Sequence, residues 1–305
     1  MDLHELQYII TVAECQSVTK AARKLYISQP SLSYAISQVE KAAGMKLFDR
    51  NHQPITLTEA GRLYVKMARN ILREQGELAS RLADLKNSGS GQIHMGIPAE
   101  RAGYMLPYVL PTFRKEYPDS EFIIKEAGTE DLMEMLLADK VNFIICPWND
   151  EVPVTVVKDL IYDEPMQLIA TKDGFQDDMF YDKEKRILSL KKIAAFPFIG
   201  IKKRHSVTRE VQKIFEKSQI EPHIILKLES STAAAQLATA GLGYTIVPGR
   251  CARSLGPDYK AYCYRYDHYP LSLRVCVLYK DNTYLNKAER YLINLLKNQF
   301  KDMFD

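Results

Sequence analysis

The sequence predicts an α+β multidomain chain, in which a small helical head and a long helix precede a larger body of alternating strands and helices. Three observations predict it. Apolar residues recur at helical spacing through the amino-terminal segment; an NSGSG break at 87–91 follows; and beyond it short β-branched runs alternate with helical patterns. The 305 residues suffice for two or three units. A hydrophobic share of 46% and a charged share of 26% exclude wholesale disorder and a fibrous repeat.

From Leu3 to Ala13 the apolar residues Leu3, Leu6, Ile9, Ile10 and Ala13 predict a first helix with one buried face. Ser17 can cap a second helix, with Val18, Ala21, Ala22 and Leu25 inward, and the two small alanines allow another helix to cross closely. Tyr26 and Ile27 make the turn. Ser28 then caps a third helix that carries Pro30 in its first turn, where a missing N–H costs nothing. Leu32, Ile36 and Val39 face inward, which leaves Gln29, Ser31, Ser33, Tyr34, Ser37 and Gln38 exposed.

That exposed face has hydroxyls, amides and a phenol, and no acid before Glu40. Such groups bond phosphates and base edges. Between Ser17 and Arg69 nine basic residues stand against three acidic ones, a local excess that suits a polyanion although the whole chain carries only +3.

The span from Leu3 to Leu72 resembles the winged helix-turn-helix of LysR-type transcriptional regulators. The resemblance is carried by "SVTKAARKLYISQPSLSYAISQVEKAAGMKLFDR" and "ITLTEAGRLYVKMARNIL", with S-x-T-x-A-A, S-Q-P-S-x-S, L-F-x-R and T-x-x-G in order. It implies that Ser28 through Gln38 form the recognition helix and that Arg50, Asn51, His52 and Gln53 form the wing. The expected DNA contacts are Ser28, Gln29, Pro30, Ser31, Ser33, Tyr34, Ser37, Gln38, Arg50 and His52. Arg23, Lys24 and Lys41 are either phosphate contacts or merely solvated. Phosphate contacts make binding salt-sensitive without naming a sequence.

Thr58 can cap a long helix to about Lys86, with Ala60, Tyr64, Met67, Ile71, Leu78, Leu82 and Leu85 in a near-heptad stripe. The stripe packs either on its own chain or on a second copy. A dimer is expected, because one winged head makes too few contacts for high specificity. The expected domains are 1–57 for the head, 58–91 for the linker helix and hinge, and 92–305 for the body.

In the body, QIHMGI from Gln92, EFIIK from Glu121 and NFIIC from Asn142 read as strands. Helices over about Gly103 to Tyr117 and Thr129 to Asp139 separate them, which implies parallel strands. A second series follows: QLIA near 167, FIGI near 198, a helix after Ser206, IILKL near 224, a helix after Ser231 and YTIV near 244. The pieces "GIPAERAGYMLPYVLPTFRKEYP", "EAGTEDLMEMLLADKVNFIIC" and "ESSTAAAQLATAGLGYTIVP" resemble the LysR effector-binding domain, whose two lobes share the fold of periplasmic solute-binding proteins. That resemblance implies lobe one at 92–163 plus 268–305 and lobe two at 164–267, with crossings near Asp163 and Asp267.

Such folds bind ligands where helix N-termini meet the cleft. The candidate effector residues are Pro98, Ala99, Glu100, Arg101, Thr129, Trp148, Lys203, Arg204, His205, Ser230, Ser231 and Thr232. Each hydroxyl is equally a plain helix cap. Arg101, Lys203, Arg204 and His205 can neutralise a carboxylate, and Glu100 can meet an amino group, so the expected co-inducer is a small anionic or zwitterionic metabolite. Family members often carry Ser or Thr just after the first strand, whereas Pro98, Ala99 and Glu100 stand here.

Five cysteines without a C-x-x-C pair speak against a disulfide framework and for a reducing cytoplasm. Cys146 either packs as apolar filling or serves a redox role. The six histidines lie scattered without ligand spacing, so no metal is expected. No G-x-S-x-G appears, and Gly89-Ser90-Gly91 lacks the strand-to-helix setting of a nucleotide loop. MDLHELQYII has neither a basic leader nor a membrane-length apolar run, so neither export nor a membrane is expected. A solute-binding protein would need export and has no use for the basic head; an enzyme would need a catalytic cluster. The reading is a cytoplasmic, non-enzymatic regulator of double-stranded promoter DNA, a homodimer or homotetramer without cofactor that works with RNA polymerase.

Overall fold

The computed structural model describes residues 2–50, 54–85, 91–202, 206–267 and 271–304. They divide into two compact units, Met1–Ser88 and Gly89–Asp305.

In the first unit α1 (Leu3–Cys15) opens on Asp2, whose carboxylate and the Glu5 side chain form a reciprocal capping box. The helix passes the expected end at Ala13 and stops where Gln16 turns left-handed at φ 49°. α2 (Val18–Lys24) and α3 (Gln29–Ala43) start at Ser17 and Ser28, whose hydroxyls accept from the Lys20 and Ser31 amides. Ala21 and Ala22 are buried among Leu6, Ile9, Leu32 and Ile36, as their small side chains require for close crossing.

β1 (Phe48–Asp49) pairs antiparallel with β2 (Thr56–Leu57) to make a wing, whose tip residues Asn51, His52 and Gln53 lie outside the described residues. α4 (Glu59–Leu85) begins after Thr58, whose hydroxyl accepts from the Gly61 amide at 3.0 Å and donates to the Lys46 carbonyl at 2.7 Å. Gly61 is needed there. A Cβ on it would lie 1.9 Å from the Leu47 carbonyl oxygen, so only glycine lets the helix meet the wing backbone.

The apolar stripe of α4 is divided. Ala60 and Tyr64 pack on the head's core, whereas Met67, Ile71, Leu78, Leu82 and Leu85 stay exposed, with Leu63 beside them.

The second unit begins with β3 (Gln92–Ile97), α5 (Ala99–Glu116), β4 (Glu121–Glu126), α6 (Thr129–Leu137) and β5 (Phe143–Pro147). β3 runs parallel to both β4 and β5, as the β-α-β-α-β pattern implies. α5 starts four residues ahead of the expected Gly103, with Pro98 extended at its N-cap and the Pro98 carbonyl accepting from the Arg101 and Ala102 amides. β6 (Val156–Ile169) follows as one strand of 14 residues.

Lobe two then adds β7 (Phe180–Asp182), β8 (Ile187–Leu188), α7 (Leu190–Ile193), β9 (Pro197–Ile201), α8 (Ser206–Ser218), β10 (His223–Leu228) and α9 (Ser231–Thr239). The chain closes with β11 (Thr245–Pro248), α10 (Gly249–Arg253), β12 (Cys263–Tyr266), β13 (Ser272–Lys280) and α11 (Lys287–Phe300).

β6 carries both lobes. From Val156 to Pro165 it pairs antiparallel with β13, and from Met166 to Ile169 with β11. Asp163, an expected crossing point, lies within it. Lobe one buries Ile93, Met95, Phe113, Phe143, Val275 and Leu292; lobe two buries Leu168, Ile199, Ile214, Ala235 and Ile246. Cys146 faces Cys276 across β5 and β13 and is packed with Leu132, Val156 and Leu278. Burial pushes its thiol well above the ordinary range, which suits apolar filling rather than redox work.

Candidate functional site

The first candidate site is the outer face of α3. Ser28, Gln29, Pro30, Ser31, Tyr34, Ser37 and Gln38 are exposed and Ser33 is half-buried. Two side-chain contacts run along this face: Ser28 Oγ lies 2.7 Å from Ser31 Oγ, and Gln29 Nε2 donates to Ser33 Oγ at 2.8 Å. These are short side chains whose remaining donors and acceptors face solvent, the set a major groove matches. Arg23 and Lys41 are exposed, and Lys24 shares Glu14 with Arg69, both at 3.4 Å.

Glu40 ties this helix to the wing. Its carboxylate is buried and accepts from the Leu47 amide at 2.9 Å, the Phe48 amide at 3.3 Å and Lys46 Nζ at 2.9 Å, while Arg50 Nη2 stands 4.0 Å away. Burial pushes the carboxyl's pKa up, but the Lys46 ammonium and the two amides outweigh burial and hold it below the usual range. α3 and Arg50, just after β1, therefore share one buried anchor.

The second candidate site lies between the lobes of the second unit. Arg101 is buried and donates to Glu164 Oε2 at 2.9 Å, to the Tyr162 hydroxyl at 2.6 Å and to the Tyr104 hydroxyl at 2.9 Å. Glu164, on β6, is wholly buried and also accepts from the Arg250 amide at 3.1 Å and its guanidinium at 3.3 Å. Burial alone would raise the Glu164 pKa; Arg250 and Arg101 outweigh it and keep the carboxyl below the usual range. Glu100 completes the group, as Ser230 Oγ donates to its Oε1 at 2.5 Å, the Thr232 amide at 3.2 Å, and Arg250 Nη2 reaches Oε2 at 3.2 Å.

Two family models match the chain. A "Bacterial regulatory helix-turn-helix protein, lysR family" model covers residues 3–62, and a "LysR substrate binding domain" model covers 86–301. The chain belongs to the LysR family of DNA-binding transcriptional regulators.

Its relatives match over most or all of its length. An uncharacterized HTH-type regulator of Bacillus subtilis (strain 168), YcgK, is 26% identical over 100% of this chain and 97% of its own. A second from that organism, YybE, is 29% identical over 81% and 82%. Among solved structures, the LysR regulator CbnR matches with a TM-score of 0.63 at 21% identity, over 99% of this chain and 100% of that one, which shows the shared fold. Full-length CbnR complexed with its target DNA matches at 0.62 and 22%, over 98% and 99%.

In this LysR regulator the expected effector residues fall into different groups. Glu100, Ser230 and Thr232 meet. Arg101, expected to neutralise an effector carboxylate, is instead buried on Glu164, because its guanidinium needs a partner once out of water. Thr129 is buried in the first turn of α6, Ser231 is buried in that of α9, and Pro98 and Ala99 open α5. Trp148 sits under the Arg209 guanidinium at 5.5 Å and donates to the Glu151 carbonyl. Lys203, Arg204 and His205 lie outside the described residues.

Three charged residues that organise these sites, Glu40, Glu164 and Arg250, were not among the expected site residues. Tyr26, in the turn before α3, is almost wholly exposed at φ 56°. Glu40 and Glu164 stand beside other charged residues, Lys41 and Asp163, and Arg250 follows a Pro-Gly pair, so nothing in their spacing names their partners. Among the described residues no helix is long and apolar enough to cross a membrane, and no cluster of His, Cys, Asp and Glu could hold a metal.

Proposed function

We propose that this LysR regulator reads an inverted-repeat promoter as a homodimer or homotetramer and is modulated by a small anionic or zwitterionic metabolite between its lobes. The observation that carries the reading is the α3 face: exposed hydroxyls, amides and Tyr34, held against the wing by buried Glu40. The exposed Met67, Ile71, Leu78, Leu82 and Leu85 on α4 support pairing with a second copy, since that stripe is unfilled by the head's own core. Two heads then double the contact and read paired half-sites.

The N-terminus of α9 and Arg250 favour an anion between the lobes, and Glu100 offers a partner to an ammonium group. Effector binding acts through its differential affinity for two arrangements of the lobes, which in turn alters what RNA polymerase meets at the promoter. The protein carries no cofactor in this reading and works in the cytoplasm.

Retardation of DNA from beside its own gene tests this. The wild type should bind specifically, with affinity falling steeply as salt rises, and Arg50→Ala should weaken binding. Binding that ignores both salt and Arg50 would contradict it.

A further inference from the structure

We propose that Glu100 is a resident anion: without effector its carboxylate fills the seat made by α9 and Arg250 and latches lobe one to lobe two. The inference concerns the effector-free protein and goes beyond the reading above. Glu100 is the second residue of α5, so one carboxylate lies between the N-termini of α5 and α9, where two sets of N–H dipoles favour negative charge. Its partners are the Ser230 hydroxyl, the Thr232 amide and Arg250 Nη2, the donors that a ligand's carboxylate would need.

The charges of the group balance, with Arg101 and Arg250 against Glu100 and Glu164. Within it Glu164 is wholly buried and fixed by both arginines, whereas Glu100 keeps 29% of its side chain exposed. Glu100 is therefore the member that can leave. A tethered carboxylate has an effective concentration on the order of millimolar or more, so simple cellular anions compete poorly with it. A ligand that makes further contacts can displace it, and in doing so frees α5 from α9. The resident anion thus acts as a filter against small anions as well as a latch.

The lobes remain joined elsewhere, because Lys213 and Arg209 of α8 bind Asp150 at 2.9 and 3.2 Å. Glu100→Ala should for that reason fold.

The test is chemical rescue in the full-length protein. Thermal unfolding is followed in sodium acetate and in sodium chloride at equal ionic strength. Glu100→Ala should show a saturable rise of midpoint with acetate alone, and the wild type none. A folded Glu100→Ala without that rise, or a wild type that responds as strongly, would overturn the proposal. Glu100→Gln keeps the shape and loses the charge, and amide exchange at Thr232 should quicken about fivefold. If Glu100→Ala does not fold, unchanged Thr232 exchange in Glu100→Gln overturns the latch, and faster exchange supports it. No readout involves DNA, so failure here and failure of promoter binding are separate results.

Discussion

Glu40 and Glu164 are buried carboxylates that do unlike work, since Glu40 organises backbone and Glu164 bridges two guanidinium groups. Glu40→Ala leaves the Leu47 and Phe48 amides buried without an acceptor. We expect a loss of about 3 kcal/mol in denaturant unfolding of the first unit, together with weaker promoter binding because α3 and the wing lose their common anchor. Glu164→Gln should cost about 3–5 kcal/mol, as it leaves buried positive charge uncompensated. The pH dependence has a definite sign. The folded pKa of Glu164 lies below the usual 4.5, so its stabilisation is complete above that value and is lost as pH falls from it through the lower folded pKa. Chemical unfolding between pH 7 and 3 should show this fall, and Glu164→Gln should flatten it.

At the scale of elements, the Gly61 contact fixes where the long helix meets the wing. Gly61→Ala should cost about 1–3 kcal/mol, since its Cβ meets backbone that cannot rotate away; calorimetry of the variant checks this. The exposed stripe makes a different prediction. Leu82→Glu should shift the protein towards monomer in sedimentation, with little change in the stability of the head, because Leu82 lies outside its core.

These elements also show what the sequence made legible. Ser17, Ser28 and Thr58 cap as read, because a cap is local: one hydroxyl and an amide three residues on. The parallel strands of lobe one were legible from alternating patterns. β6 was not, and only its QLIA end was read as a strand. Its first part, VVKDLIYD, alternates weakly, since both faces and both lobes set its burial. The cleft was half legible, as hydroxyls at helix starts are visible in sequence. The pairing of Arg101 with Glu164, 63 residues on, is fixed by tertiary geometry alone.

Taken whole, the molecule joins a basic head to a body with balanced internal charge. Because phosphate contacts dominate affinity, the slope of binding against salt should be set by the first unit, and changes at Glu100 or Glu164 should leave it unaltered. We propose that the exposed face of α3 reads promoter DNA. The most direct test is the affinity of the full-length protein for a labelled fragment from beside its own gene, comparing wild type with Ser37→Glu and with Lys183→Ala in the second unit. We predict that Ser37→Glu, which sets a negative charge against the groove, weakens binding at least about tenfold while the fold is kept, and that Lys183→Ala binds as the wild type does. Equal binding by Ser37→Glu and wild type would contradict the account.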